Sequence, residues 1–229
     1  MLFFSRNILW HIFFKKSGVP DPDFFVYGKY LSARIHLDKE TNSAKLIENA
    51  INSLPESVPD YTKLQSEILK NSGISGQIPI DVTEGYVLDR ISENLKDNPL
   101  SVTYGETILL NGATPFRIGG KYMPLINFPE NYIQDDLINL LVNKCFVACK
   151  NYKNTSAENE VICIAIVVSL DKKNGGVIAD ALSEVCEKLS FEKAEALCEK
   201  YEAQIVCIYD DYSFKTSEEL KDSVIIEIR

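Results

Sequence analysis

Histidine is almost missing from this chain: only His11 and His36 occur among 229 residues. A serine or cysteine nucleophile would have to borrow one of them as its base, and neither has a partner pattern beside it. No cysteine precedes Cys145, and no C-x-x-C pair occurs. The six cysteines, Cys145, Cys149, Cys163, Cys186, Cys198 and Cys207, stand in apolar runs such as V-I-C-I-A-I, where a thiol behaves as a small hydrophobe. That argues against a zinc site and for reduced, buried thiols in a cytoplasmic protein. The G-x-x-x-x-G-K-[ST] phosphate loop, the G-x-G-x-x-G turn, H-E-x-x-H, G-x-S-x-G and the calcium loop are all missing. Basic residues are scarce, 24 against 33 acids, and a net charge of −9 excludes a nucleic-acid binder, which needs clustered Lys and Arg. Eleven glycines and nine prolines are too few for a collagen-like or linker chain.

What is present begins with an unusual segment. Residues 1–16 carry Arg6, Lys15 and Lys16, no acid, and a dense apolar set that includes Phe3, Phe4, Leu9, Trp10, Phe13 and Phe14. The stretch is shorter than the roughly 20 residues of a membrane-spanning helix and is broken by Ser5-Arg6-Asn7 and His11. It lacks the leading positive charge and small-residue cleavage site of a signal peptide. Three uses remain: packing on the domain core, docking into a groove of another protein, or peripheral membrane contact. Ser17 to Asp23, with Pro20 and Pro22, reads as a linker.

Periodicity divides the remainder into an N-terminal lobe, 24–150, and a C-terminal lobe, 161–229, with the polar tract 151–160 between them. Residues 24–37 alternate as a strand, bulged or turned at Gly28. Helices are expected over about 42–54, over 60–71 with Asp60 as cap and Gly73 as stop, and after a short strand at 77–82. Residues 101–128 read as β structure with a turn at Asn111-Gly112, and Pro129 is expected to open a helix reaching Lys150. The continuous apolar run V-I-C-I-A-I-V-V predicts a strand covered on both faces. Helical sequence over 177–202, broken at Ser190, then the strand Q-I-V-C-I-Y and the ending V-I-I-E-I, predict a βαβ-β unit with a parallel crossover. The expected fold class is therefore α+β or α/β, with mixed sheets and flanking helices. No known family is recognised in the pattern.

Two places could carry function. If the strands ending near Asp171 and Asp210-Asp211 are parallel, these three carboxylates share one sheet edge and could hold Mg²⁺, while Lys172, Gly175-Gly176 and a helix N-terminus meet a phosphate. That is the reading of a Mg-dependent phosphoester hydrolase. The second is the patch around Tyr122 and Met123, residue types common in protein contacts. From residue 156 onward acids outnumber bases sixteen to eight. With the standard motifs absent, the leading expectation is a non-enzymatic cytoplasmic adaptor, inhibitor or complex subunit without cofactor. It would bind a protein with a basic surface through its acidic face, residues 1–16 and Tyr122-Met123.

Overall fold

A computed structural model describes residues 23–35, 43–95, 100–111, 116–118, 124–125, 137–140, 142–151, 161–209 and 213–227. The fold is α+β. It opens with a hairpin of β1 (Asp23–Val26) and β2 (Lys29–Ile35), where Val26 pairs with Lys29. The turn residues Tyr27 and Gly28 have φ of +41° and +85°, and two successive positive values give the tight turn that matches strand twist. The single alternating strand expected over 24–37 is thus turned at Gly28. The reversal changes which residues face inward: Phe24, Val26 and Leu31 are buried, while Phe25 is 46% exposed.

Helices α1 (Ser43–Asn52), α2 (Thr62–Ser72) and α3 (Thr83–Leu95) fall where apolar spacing places them. Asp60 Oδ1 accepts from the Thr62 amide at 2.8 Å, and Gly73, at φ +71°, ends α2. The expected strand at 77–82 is irregular chain. Pro79 has no amide to give a ladder, and the Ile80 carbonyl is bound instead by the Gln65 side chain at 2.9 Å.

β3 (Leu100–Tyr104) and β4 (Thr107–Asn111) form a second hairpin. Its turn lies at Gly105-Glu106, with Gly105 at φ +60°, so the reversal comes before Asn111. Then come β5 (Phe116–Ile118), β6 (Pro124–Leu125), β7 (Leu137–Leu140) and β8 (Cys145–Asn151). The helix expected from Pro129 to Lys150 is therefore corrected: 137–140 and 145–151 are strands. Phe146 and Ala148 join one core cluster, and Cys145, Val147 and Cys149 join the other. A strand buried on both faces is apolar at every position, so a helical 3–4 spacing can always be picked out of it.

β9 (Val161–Ser169), α4 (Gly175–Cys186), α5 (Phe191–Lys200), β10 (Ala203–Tyr209), β11 (Phe214–Thr216), a 3-10 turn (Glu218–Ser223) and β12 (Val224–Glu227) complete the described chain. The main sheet has the order β1-β2-β3-β4-β8-β9-β10-β11 and the second β12-β7-β5-β6. Every neighbouring pair in both is antiparallel. The expected parallel crossover is absent: β9 and β10 pair antiparallel, Ala203 beside Val168 and Tyr209 beside Val161. One helix returns the chain to where the first strand began, whereas two helices return it to where that strand ended. The break at Ser190 makes two. The last strand, β12, pairs with β7 in the second sheet instead of joining β9 and β10. The tract expected to separate two lobes lies between β8 and β9, which are paired neighbours in one sheet.

Helices α1 to α5 all contribute to the core on one face of the main sheet, against Val102, Leu109, Phe146, Ile164, Ile166 and Ile205. Val147, Cys149, Cys163, Ala165 and Val206 face the other way, buried with Leu220. The both-faces burial read from V-I-C-I-A-I-V-V holds for β9. No described helix is long and apolar enough to cross a membrane.

Candidate functional site

Helices α3 and α4 cross on two glycines. A Cβ on Gly85 would stand 2.1 Å from the Gly176 carbonyl oxygen, and one on Gly176 would stand 2.4 Å from the Gly85 oxygen. At so close an approach each helix can reach the other's first-turn amides, which have no partner within their own helix. Both do, with an aspartate four residues beyond the glycine. Asp89 on α3 accepts from the amides of Gly176 (2.9 Å) and Val177 (3.0 Å). Asp180 on α4 accepts from the amide of Gly85 (3.0 Å). Each carboxylate sits at the positive end of its partner's dipole.

The two carboxyls are built alike but placed differently. Both Asp89 oxygens are bound by backbone amides, so Asp89 is a cap. Its burial pushes it up to about 6 against the restraint of those two amides. Removing the cap leaves two buried amides without an acceptor. Asp89→Ala is therefore expected to cost about 2–3 kcal/mol in urea denaturation, with Asp89→Asn losing less.

Asp180 has one amide only. Its other oxygen accepts from the Thr107 hydroxyl at 3.2 Å, and the residue is 2% exposed. Burial first, then the negative charge of Glu84, pushes it up to about 7, while the Gly85 amide and Lys150 pull it down. A carboxyl that exchanges its proton near neutral pH is the usual requirement of an acid–base group.

The groups around Asp180 converge on the β3–β4 turn. Glu84, buried at the start of α3, accepts from the Glu106 amide at 2.7 Å and pairs with the Lys29 ammonium. A side chain on Gly105 would run into the Glu84 carboxylate, so only glycine fits that turn. Lys150 on β8 lies 2.9 Å from both Glu106 and Glu184. Its burial opposes the charge, but the bonds to both glutamates outweigh that and hold its proton more tightly than usual. The result is a buried carboxyl beneath partly exposed ion pairs, with Asp81, Glu84, Glu106 and Glu184 outnumbering Lys29 and Lys150.

The site expected from sequence is elsewhere. Asp171 is exposed on the loop after β9, and Tyr209, the last described residue before Asp210 and Asp211, lies at the opposite end of the β9–β10 pair. The shared edge on which the Mg²⁺-dependent hydrolase rested does not exist, because the strands are antiparallel. Asp210, Asp211, Phe3, Phe4, Leu9, Trp10, Phe13, Phe14, Tyr122 and Met123 lie outside the described residues. No group of three metal-ligating side chains is found among the described ones. The phosphate seat expected at Gly175-Gly176 is filled by the carboxylate of Asp89, and Lys172 pairs with Glu202 at 2.6 Å. What sequence reasoning missed is a pattern that occurs twice, G-x-x-x-D at Gly85–Asp89 and Gly176–Asp180, each placing an acid within an apolar helix face. The cysteines are free and buried as expected, with Cys145 and Cys207 each pushed up to about 12 by burial.

No family model matches this chain, and no curated protein matches it. Solved structures do share its fold. The flavin transferase ApbE from Vibrio cholerae is 12% identical with a TM-score of 0.55, over 86% of this chain and 96% of that one. Its H257G mutant gives 12% and 0.54, over 86% and 97%. The flavinyl transferase ApbE of Pseudomonas stutzeri, in its apo form, gives 15% and 0.52, over 85% and 94%. These neighbours correct the expectation of a non-enzymatic adaptor docking a basic protein: each of the three is a flavin transferase, an enzyme.

Proposed function

We propose that this chain is a flavin transferase, working at the α3–α4 crossing with Asp180 as the group that takes and returns a proton. The observation that carries the reading is the extent of the likeness: it spans 94–97% of the flavin transferase chains, so it is more than a shared sheet. The position of Asp180 supports it. Of two carboxyls made by the same local pattern, one is saturated by backbone amides, and the other keeps a near-neutral proton beneath a layer of exchangeable ion pairs. On this reading a flavin nucleotide enters by displacing the partly exposed side chains of Lys29 and Glu106 from above Asp180.

The test is covalent transfer. The full chain is incubated with flavin adenine dinucleotide or flavin mononucleotide and a native protein extract, and flavin fluorescence is read on a denaturing gel. A fluorescent band that requires the chain is expected, and Asp180→Asn should reduce its rate of formation by about 10²-fold or more. Absence of any chain-dependent band with either nucleotide, or an undiminished rate in Asp180→Asn, would refute the reading.

A further inference from the structure

We propose that Lys150 is the positioning residue of Asp180: its ammonium ties together the two elements that grip the carboxyl and brings positive charge to it from β8. The inference rests on the reading of Asp180 as the working group and concerns how that group is held. On one side Lys150 reaches Glu184 at 2.9 Å, one helical turn beyond Asp180 on α4. On the other it reaches Glu106 at 2.9 Å, the neighbour of Thr107, whose hydroxyl binds Asp180. Lys150 therefore spans from the helix that carries Asp180 to the turn that leads into Thr107. Its side chain is 17% exposed, and β8 fixes its root in the middle of the main sheet.

The groups packed around Asp180 account for its dependence on this lysine. Glu84 faces it from α3, with Asp81 just before that helix. Glu106 comes from the β3–β4 turn, Thr107 from the start of β4, and Glu184 from α4 itself. Lys29 comes from β2, where its ammonium is engaged by Glu84 and, at 3.7 Å, by Asp81. Lys150 favours the charged form of Asp180 against the opposite push of Glu84 and Asp81, and Lys29, which also interacts with Asp180, is itself held by Glu84 and Asp81. Without Lys150, Glu106 and Glu184 stand uncompensated beside the carboxyl, and every remaining change acts in the same direction.

The experiment follows the Asp180 side-chain carboxyl by ¹³C NMR as pH is varied, in the full chain. Lys150→Met should raise the midpoint by about one pH unit or more. Lys150→Arg should hold it within a few tenths, and Glu184→Gln should lower it. Lys188→Met, at an exposed lysine whose carboxylate partner is Glu187, should leave it in place. An unmoved midpoint in Lys150→Met overturns the proposal, as does an equal movement in Lys188→Met. If Lys150→Met does not fold, an unmoved midpoint in Glu184→Gln overturns it instead. The titration reads the carboxyl whether or not flavin is transferred, so failure of the flavin reading and failure of this one give different results.

Discussion

Gly85→Ala is expected to destabilise the protein by at least about 3 kcal/mol, although the same change inside an ordinary helix gains about 0.5–1 kcal/mol. The sign reverses because of what the new methyl group meets. It would stand 2.1 Å from the Gly176 oxygen and 2.3 Å from its carbonyl carbon, and backbone cannot rotate away as a side chain can. The helices must separate, and separation breaks both caps at once: Asp89 leaves the Gly176 and Val177 amides, and Asp180 leaves the Gly85 amide. Gly176→Ala should behave in the same way. Gly28→Ala is the contrast, since its added Cβ meets open space and only the positive φ resists it, for about 1 kcal/mol. Urea denaturation of the three variants measures the difference. A Gly85→Ala protein as stable as Gly28→Ala would show that the two helices do not pack on their glycines.

The second large effect depends on pH. Folded Asp180 holds its proton up to about pH 7, against an ordinary value of 3.8. Between those values the native state carries a proton that the unfolded chain has lost. The stability this contributes is complete below about pH 4 and is lost as pH rises through 7, a change on the order of 4 kcal/mol. Asp89, with its midpoint near 6, adds a smaller loss of the same sign that ends earlier. Asp180→Asn removes the buried charge. Its amide oxygen can still accept from Gly85, and its nitrogen can donate to the Thr107 hydroxyl. At pH 8 this variant should be more stable than wild type by about 2 kcal/mol, and at pH 5 the gain should vanish. Chemical denaturation at the two pH values decides it. A variant less stable than wild type at pH 8 would mean that the Asp180 charge is well compensated. On the flavin-transferase reading, loss of transfer in that stabilised variant would mark Asp180 as a group kept for its chemistry at the expense of stability.

Local patterns gave the helices readily. The stripe through Val87, Leu88 and Ile91 and the αL stop at Gly73 are properties of short stretches of chain. Strand direction was a different matter. The apolar run of β9 correctly signals burial on both faces, but burial is common to parallel and antiparallel strands, and direction was decided by whether the chain between contained one helix or two. The break at Ser190 held that information. The site was hidden for a related reason. Asp180 owes its environment to Gly85 and Thr107, 95 and 73 residues away, and sequence spacing carries no trace of such a meeting. Asp is ordinary at strand ends and rare inside apolar helix faces unless it is bound, and it is the second setting that holds Asp89 and Asp180. The repeated glycine-to-aspartate spacing was visible, and its significance appears only when the two glycines touch.

On the flavin-transferase reading, a flavin nucleotide is handled at the α3–α4 crossing and the β3–β4 turn beside it. Titration of flavin adenine dinucleotide into the ¹⁵N-labelled full chain tests this most directly, because it reports both binding and place. Saturable shifts in the amides of Gly85, Glu106, Thr107, Asp180 and Glu184, with those of α5 unmoved, are the predicted result. Shifts gathered on another face of the molecule, or none at millimolar nucleotide, would contradict it.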